Sequence, residues 1–216
     1  MNLSIHTGEQ LRLQPALQEQ VFRLRHHVFV EKLGWEAIRR ADGLEIDDFD
    51  TDAAIHFVVQ DGENNIKAYA RLLPTTQAHL LSVVYPHLLD DAAKMPVGSD
   101  IYEWTRSTAL PIRATPGTDQ REQFPGLGLA FDKAGQTLFL GIVEWGLANG
   151  VRAFSFQGDP VFAIVMEAMG ARAELLAQPK TTAEGKSVVA MLMHISEETR
   201  VKMREVFKME DEGCKL

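Results

Sequence analysis

The chain has 216 residues, 45% of them hydrophobic, and a formal net charge of −8. We expect one domain over residues 1–216, with a flexible tail from about residue 210 to 216. The acidic balance argues against a nucleic-acid binder, which usually presents a basic surface. No apolar run approaches the roughly 20 residues that cross a bilayer, so we expect no membrane association.

The cysteine content excludes a disulfide framework, because Cys214 is the only cysteine of the chain. It excludes a zinc-cysteine framework for the same reason, and we expect no metal and no cofactor. The first residues lack the basic and then apolar pattern of a secretory signal. We therefore expect a cytoplasmic protein.

The first half of the chain predicts one long helix followed by a hairpin. Gln14 to Gly34 is predicted as a helix, because apolar residues recur at helical spacing: Leu17, Val21, Leu24 and Val28. Residues 36 to 53 hold many acids without apolar periodicity and predict a structured loop. Two strands, Ala54 to Gln60 and Ile66 to Leu73, are separated by a polar turn that predicts a hairpin. The segment from Leu80 to Leu89 is ambiguous.

The second half alternates between strands and helices. Its predicted strands are Ile101 to Thr108, Val151 to Phe156, Arg172 to Leu176 and Ser187 to Ile195. Its predicted helices are Gln136 to Asn149, Pro160 to Met169, and a last helix that Ser196 caps. Residues 111 to 133 predict an irregular connection. Together these elements predict an α/β (α+β) fold, with a mixed central sheet covered by helices on both faces.

Charged and aromatic residues in the first 110 positions point to a polar pocket for a charged small molecule. In chain order they are Arg25, Phe29, Trp35, Asp47, Asp50, Arg71, Glu103 and Arg106. Each alone has an ordinary explanation as a surface charge or a core aromatic. Glu103 and Arg106 also have an odd spacing, which puts them on opposite faces of a regular strand. They share a pocket only if a bulge or a strand end intervenes.

This ordered set resembles the acyl-homoserine-lactone synthases, the LuxI-type autoinducer synthases. The family pattern is an Arg and a Phe on the first helix, a Trp, an acid-x-x-Asp loop, an Arg in a strand, and Glu-x-x-Arg. The chain departs from it at Thr105-Arg106-Ser107, where the family usually has Ser-Arg-Phe. An aromatic that the family places after the strand arginine is present as Tyr85.

The resemblance implies a GNAT-like acyltransferase fold with a mostly antiparallel sheet. It implies that the amine of S-adenosylmethionine (SAM) attacks an acyl thioester carried by acyl carrier protein or coenzyme A. The methionine carboxylate then closes the lactone, and methylthioadenosine leaves. The product is a quorum-sensing signal. SAM and the acyl donor are substrates, and a monomer is the simplest assembly.

The charges of SAM suit these residues, since its ammonium needs acids and its carboxylate needs an arginine. Glu103 is our first choice as the base that deprotonates the amine, and Asp47 is the second. Arg71 and Arg106 complete the catalytic set. Substrate binding is assigned to Arg25, Phe29, Trp35, Asp50, Tyr85 and Thr105, and the role of each individual arginine stays open.

The later strands and helices are expected to line the acyl pocket, with Ser155, Phe156, Val165 and Met166 as candidates. The glycine-rich segment 125–135 is a weaker candidate for binding a pantetheine phosphate. An acidic carrier protein would need a basic docking patch, for which the candidates are Lys133, Arg152, Arg172, Lys180 and Lys186. Acyl length, acyl oxidation and the type of carrier stay open.

Two other functions compete with lactone synthesis. One is a GNAT-like N-acyltransferase that uses acyl-CoA on another amine and forms no lactone. The other is a silent binding protein that senses SAM or an acyl carrier. Release of methylthioadenosine distinguishes the synthase from both.

Overall fold

The computed structural model describes residues 1–109, 132–182 and 185–209. Its strands are β1 Asn2–Thr7, β2 Ile55–Gln60, β3 Ile66–Pro74, β4 Ile101–Ala109, β5 Ala153–Gly158, β6 Arg172–Leu175, β7 Lys180–Thr181 and β8 Ser187–His194. They are ordered β1-β2-β3-β4-β5-β8-β6, and β7 pairs with β8. Every pair is antiparallel except β4 with β5, which is parallel. The predicted mixed, mostly antiparallel sheet is confirmed.

The helices of the described residues are α1 Gly8–Arg12, α2 Pro15–Arg25, a π-helix His26–Lys32, α3 Leu80–Val83, α4 Lys133–Ala148, α5 Val161–Ala168 and α6 Glu197–Phe207. Short 3-10 turns cover Glu36–Ile38, Pro86–Leu88 and Ala92–Lys94. Ser196 caps α6 as predicted, because its hydroxyl accepts the backbone N–H of Thr199. Among the described ranges, no helix has the length and apolar character needed to cross a membrane.

Helices cover both faces of the sheet, as predicted. Consecutive strand residues point to opposite sides, so each strand presents apolar side chains to the helices on both faces. In β2, Val58 packs with α2 and the π-helix, whereas Phe57 and Val59 pack with α4 and α6. We call these sides the α2 face and the α4 face. The α4 helix lies close against β1, since a side chain at Gly141 would collide with Leu3.

The predicted hairpin forms between β2 and β3. One oxygen of Asp61 accepts the backbone N–H groups of Glu63 and Asn65, each at 2.9 Å. Asn64 adopts a left-handed conformation with φ of 61°, which asparagine tolerates better than most residues. This local hydrogen bonding sets the turn that the sequence predicts.

Several boundaries differ from the prediction. The predicted helix from Gln14 to Gly34 divides into α2 and the π-helix, whose wider turns close with bonds such as Leu33 N–H to Val28 O at 3.0 Å. The elements β1, α1 and β7 were not predicted. The ambiguous Leu80 to Leu89 segment contains α3 and one 3-10 turn. Most of the predicted irregular connection at 111–133, its glycine-rich segment and the tail at 210–216 lie outside the described residues.

Candidate active site

Three arginines from three different elements meet three acids of one loop on the α2 face. Arg25 ends α2, Arg71 lies in the middle of β3, and Arg106 lies in β4. The acids are Glu45, Asp47 and Asp50, all in the loop before β2. We call these six residues the ion-pair cluster. Their charges balance, which lowers the cost of burying them together.

Asp50 joins two of the arginines. Arg25 donates to its two oxygens at 2.6 and 3.0 Å, and Arg71 donates to one of them at 2.6 Å. The backbone N–H of Asp47 donates to the Asp50 carboxylate at 2.9 Å, which forms a tight turn within the loop. Arg25 and Arg71 are both fully buried, so these bonds are shielded from water and form the frame of the cluster.

Arg106 closes the open side of the cluster. It donates to Glu45 at 3.0 and 3.1 Å and to Asp47 at 2.9 Å. Glu45 also accepts from Arg25 Nε at 2.5 Å. Asp47 in turn accepts from Arg71 at 2.6 and 2.9 Å. Both oxygens of Asp47 are therefore held by guanidinium groups.

A bulge in β4 explains how Glu103 and Arg106 reach the same face. The pairing of β3 with β4 shifts between Tyr69 and Arg71, and Arg106 has a left-handed φ of 52°. Such a conformation is uncommon for a residue other than glycine. The extra residue turns the Arg106 side chain to the α2 face. The bulge that Glu103 and Arg106 need in order to face the same side is thus present.

The arginines of the cluster hold two of its acids, Glu45 and Asp50, ionised. Burial opposes the charge on Glu45, but Arg25 and Arg106 outweigh burial and lower the pKa of Glu45. Burial likewise opposes the charge on Asp50, but Arg25 and Arg71 outweigh it and lower the pKa of that carboxyl group. Glu45 and Asp50 therefore remain charged at neutral pH.

Two aromatic rings lie against Arg106 at the edge of the cluster. Phe29 stacks on Trp35 with ring centroids 5.0 Å apart. The guanidinium of Arg106 lies 5.5 Å from the Phe29 ring and 5.6 Å from the Trp35 ring. Phe29 belongs to the π-helix, a feature frequent at functional sites. Trp35 keeps 41% of its surface exposed, so its ring can receive a ligand from solvent.

Glu103 lies apart from the cluster on the same face. Its two oxygens accept the backbone N–H groups of Leu80 and Leu81, the first residues of α3, each at 2.7 Å. Gln157 donates to the same carboxylate at 2.8 Å. Burial raises the pKa of Glu103, against the effect of these hydrogen bonds. Among the described residues, none forms a salt bridge with this buried carboxylate.

The parallel strands separate immediately beyond Glu103. Pairing of β4 with β5 runs from Ile101 with Ala153 to Glu103 with Ser155 and then stops. Strand β4 continues along β3 to Ala109, and β5 continues along β8 to Gly158. We call this divergence the fork. It places the carboxylate of Glu103 and the hydroxyl of Ser155 at the apex of an opening in the sheet.

The other predicted site residues lie at four different places in the structure. Thr105 joins the ion-pair cluster, since Arg71 Nε donates to its hydroxyl at 3.1 Å. Tyr85 lies away from the cluster, exposed beyond α3. The acyl-pocket candidates divide between the faces of the sheet: Ser155 is at the fork, whereas Phe156, Val165 and Met166 pack on the α4 face. Alternation along β5 causes this division.

Three buried polar residues in and around the cluster were not predicted from the sequence. Glu45 completes the cluster, and its separation of two residues from Asp47 is the signal that could have identified it. His56 and Tyr69 support Arg25 from the strands, with His56 Nδ1 2.8 Å from the Tyr69 hydroxyl. Burial lowers the pKa of His56 to about 3 and raises the pKa of Tyr69 to about 12, so both are neutral near pH 7.

Comparisons with known proteins match this chain to one family of enzymes. A family model described as autoinducer synthase matches residues 9–203. An acyl-homoserine-lactone synthase of Acinetobacter nosocomialis is 29% identical over 193 residues, which is 89% of this chain and 100% of that protein. An isovaleryl-homoserine lactone synthase of Bradyrhizobium diazoefficiens is 42% identical over 90 residues, which is 41% of this chain and 39% of that protein.

The fold matches solved synthases over most of its length. The structure of a CoA-dependent acyl-homoserine lactone synthase, BjaI, with SAM and isopentyl-CoA superposes with a TM-score of 0.76. The two chains are 27% identical, and the match covers 96% of this chain and 90% of BjaI. The sheet with its fork is thus the GNAT-like fold of these acyltransferases. The chain belongs to the autoinducer synthase family, the acyl-homoserine-lactone synthases.

Proposed function

We propose that the ion-pair cluster and the fork together carry out acyl-homoserine-lactone synthesis from SAM and acyl-CoA. The observation that carries the proposal is the placement of a charged, partly exposed cluster and a buried carboxylate on one face of the sheet, beside the fork. Residues 1–216 act as one domain in this proposal, and a monomer suffices, because all the proposed groups come from one chain.

We assign the residues that contact SAM from the solvent exposure of their side chains. Arg25 and Arg71 are wholly buried, so they hold the acids in place and do not meet the ligand. The side chains of Arg106 and Asp47 are 9% and 16% exposed, which puts them at the edge of the cluster. Arg106 then binds the SAM carboxylate and Asp47 its ammonium. The exposed ring of Trp35 offers a π face to the sulfonium or the adenine, and the buried ring of Phe29 stacks against it.

Glu103 serves as the base for the amine. A general base must be able to accept a proton, and burial raises the pKa of this carboxyl group. Asp47, the second choice, is less suited, because Arg71 and Arg106 bind both of its oxygens. The amine then attacks the acyl thioester at the fork. The carboxylate displaces methylthioadenosine from its own γ-carbon, a step that needs mainly positioning.

The acyl donor is proposed to be acyl-CoA. Three of the cations that could form a docking patch for an acidic carrier protein are already close to acids. Lys180 lies 3.0 Å from Asp90, Arg152 lies 2.5 Å from Asp100, and Arg172 lies 3.8 Å from Glu174. This pairing weakens a basic docking surface. The CoA-dependent BjaI supports the same donor class, and the isovaleryl-homoserine lactone synthase among the relatives supports a short acyl group.

Purified protein with SAM and a donor panel tests the proposal. Lactone and methylthioadenosine should appear together with a short-chain acyl-CoA, and more slowly with the same acyl group on carrier protein. Glu103→Gln should lower kcat by about 10² or more, the usual range for a lost general base. Acylated product without methylthioadenosine would instead support the N-acyltransferase without lactone formation. SAM binding without product would support the silent binding protein.

A further inference from the structure

The side chain of Gln157 reaches across the fork from β5 to β4. Pairing of these two strands stops at Glu103 with Ser155, and Gln157 lies two residues further along β5, opposite Ala190 of β8. Its side chain therefore shares a face of the sheet with Ser155. Nε2 of Gln157 donates to Oε1 of Glu103 at 2.8 Å. The proposed mechanism does not use this contact.

The contact has a defined direction. An ionised carboxylate only accepts hydrogen bonds, so the amide of Gln157 turns its NH2 group toward Glu103. Oε1 of Glu103 then accepts two N–H groups, one from Gln157 and one from the backbone of Leu81 at 2.7 Å. Oε2 accepts one, from the backbone of Leu80 at 2.7 Å. Because each carboxylate oxygen has about two lone pairs, Oε2 keeps room for one more partner.

Hydrogen bonds do most of the work of keeping this carboxylate ionised. Glu103 has no exposed surface, and within the part of the chain that the structure describes no cation forms a salt bridge with it. Burial raises the pKa of Glu103, and the hydrogen bonds from Leu81 and Gln157 oppose that rise. Two of the three donors are backbone groups, so Gln157 is the donor that a substitution can remove.

The charged groups around Glu103 do not change when Gln157 is replaced. His79 precedes α3, whose own residues are not ionisable. Arg71 on β3 and Arg106 on β4 lie on the same face and are bound by the loop acids. At the fork, β5 and β8 contribute uncharged residues: Ser155, Gln157, Ala190 and Leu192. A difference between wild type and a Gln157 variant therefore reports the lost hydrogen bond.

We propose, on the basis of the synthase function above, that Gln157 is a positioning residue that keeps Glu103 ionised and oriented as the base. The proton passes from the ammonium of SAM to Oε2 of Glu103, directly or through a water molecule, and the nitrogen keeps its lone pair for attack on the thioester. Gln157 acts only through Glu103. Because its hydrogen bond runs from β5 to β4, it also ties the base to both sides of the fork.

Gln157→Met removes the donor and nearly keeps the length and volume of the side chain. The pKa of Glu103 is measured in the unliganded protein from the carboxyl 13C resonances of labelled glutamates, and Glu103→Gln identifies its signal. Loss of a hydrogen bond to the charged form should raise this pKa by about one unit or more. Gln60→Met is the matched control, because Gln60 ends β2 and donates to the backbone carbonyl of Asn64. It should leave the pKa of Glu103 unchanged.

The pH dependence of kcat/KM for acyl-CoA is the second readout. Its acidic limb reports the ionisation of the base before acyl-CoA binds. With a raised pKa, Glu103 is ionised only at higher pH, so the acidic limb of Gln157→Met should move to higher pH by the same amount. The rate should fall about tenfold below the limb and return to within threefold of wild type above it. A general structural defect would instead lower the rate at every pH.

An unchanged pKa of Glu103 in Gln157→Met, or a loss of rate that is equal at all pH values, would overturn the role of Gln157. Gln157→Ala, which also lacks the donor, decides the question if the first variant folds poorly. The carboxyl titration does not depend on turnover. Absence of lactone from the wild-type protein would instead refute the proposed function.

Discussion

Glu45→Gln perturbs the ion-pair cluster at its least exposed acid. The wild-type carboxylate has no exposed surface and accepts from Arg25 once and from Arg106 twice. Glutamine has nearly the same shape, but one of its terminal groups becomes a donor that faces a guanidinium donor. The variant also leaves the three arginines of the cluster with two carboxylates. The substitution therefore breaks hydrogen bonds and leaves a charge uncompensated without opening a cavity.

The expected cost follows from these contacts. Removing one partner of a buried ion pair costs roughly 3 to 5 kcal/mol. Glutamine keeps one acceptor, so we expect about 3 kcal/mol, the lower end of that range. For a chain of this size, that loss lowers Tm by roughly 6 to 12 °C. Weaker SAM binding should accompany it, because Arg106 loses the acid that orients it.

Equilibrium unfolding in urea at pH 7 measures the effect directly. The control is Glu19→Gln, which breaks an exposed pair with Arg23 on α2 and should cost about 0.5 kcal/mol or less. A loss below about 1 kcal/mol in Glu45→Gln, comparable to the control, would refute the reasoning. It would mean that the cluster adjusts to the missing charge at little cost.

Three further predictions follow from the site. Arg25 and Arg106 lower the pKa of Glu45, so the stabilising effect of its carboxylate is present above the unfolded pKa of about 4.3 and is lost as pH falls. The difference in unfolding free energy between wild type and Glu45→Gln should therefore shrink below about pH 4. A constant difference down to pH 2 would contradict the assigned direction of the pKa shift. Trp35→Ala should weaken SAM binding by about tenfold in calorimetry, the value of one good cation–π contact. The Tm should change by no more than about 2 °C, since Trp35 is 41% exposed. Unchanged SAM affinity would remove Trp35 from the site. Ser155→Ala deletes a buried hydroxyl that has no partner among the described residues, so the free energy of unfolding should stay the same or rise. The kcat/KM values for different acyl-CoA donors should change relative to each other. Equal effects on all donors would remove Ser155 from acyl recognition.

The sequence predicted much of the fold because apolar periodicity reports which side of an element is buried. The hairpin of β2 and β3 and the alternation of the second half follow from it. The pattern did not show the change from α2 to the π-helix, because the apolar positions continue through Val28. It also missed β1, a six-residue edge strand that is only partly buried. The formation of such a strand depends on the neighbouring strand with which it pairs.

The sequence predicted which residues belong to the site better than it predicted how they are arranged. The resemblance to the family selected Arg25, Arg71 and Arg106, and the structure joins all three through the loop acids. Glu45 was missed because only two acids belong to the motif that was compared. The shared face of Glu103 and Arg106 depends on a bulge. Backbone irregularities of this kind are set by tertiary packing, which one sequence does not display.

The central claim is that this chain couples acyl transfer to lactone formation. Mass spectrometry of a reaction with purified protein, SAM and short-chain acyl-CoA tests it most directly, with methylthioadenosine measured in the same sample. We predict a product that releases the protonated homoserine-lactone fragment, in equal amount to methylthioadenosine. Neither compound with any acyl-CoA or acyl-carrier donor, from a protein that still binds SAM, would contradict the claim.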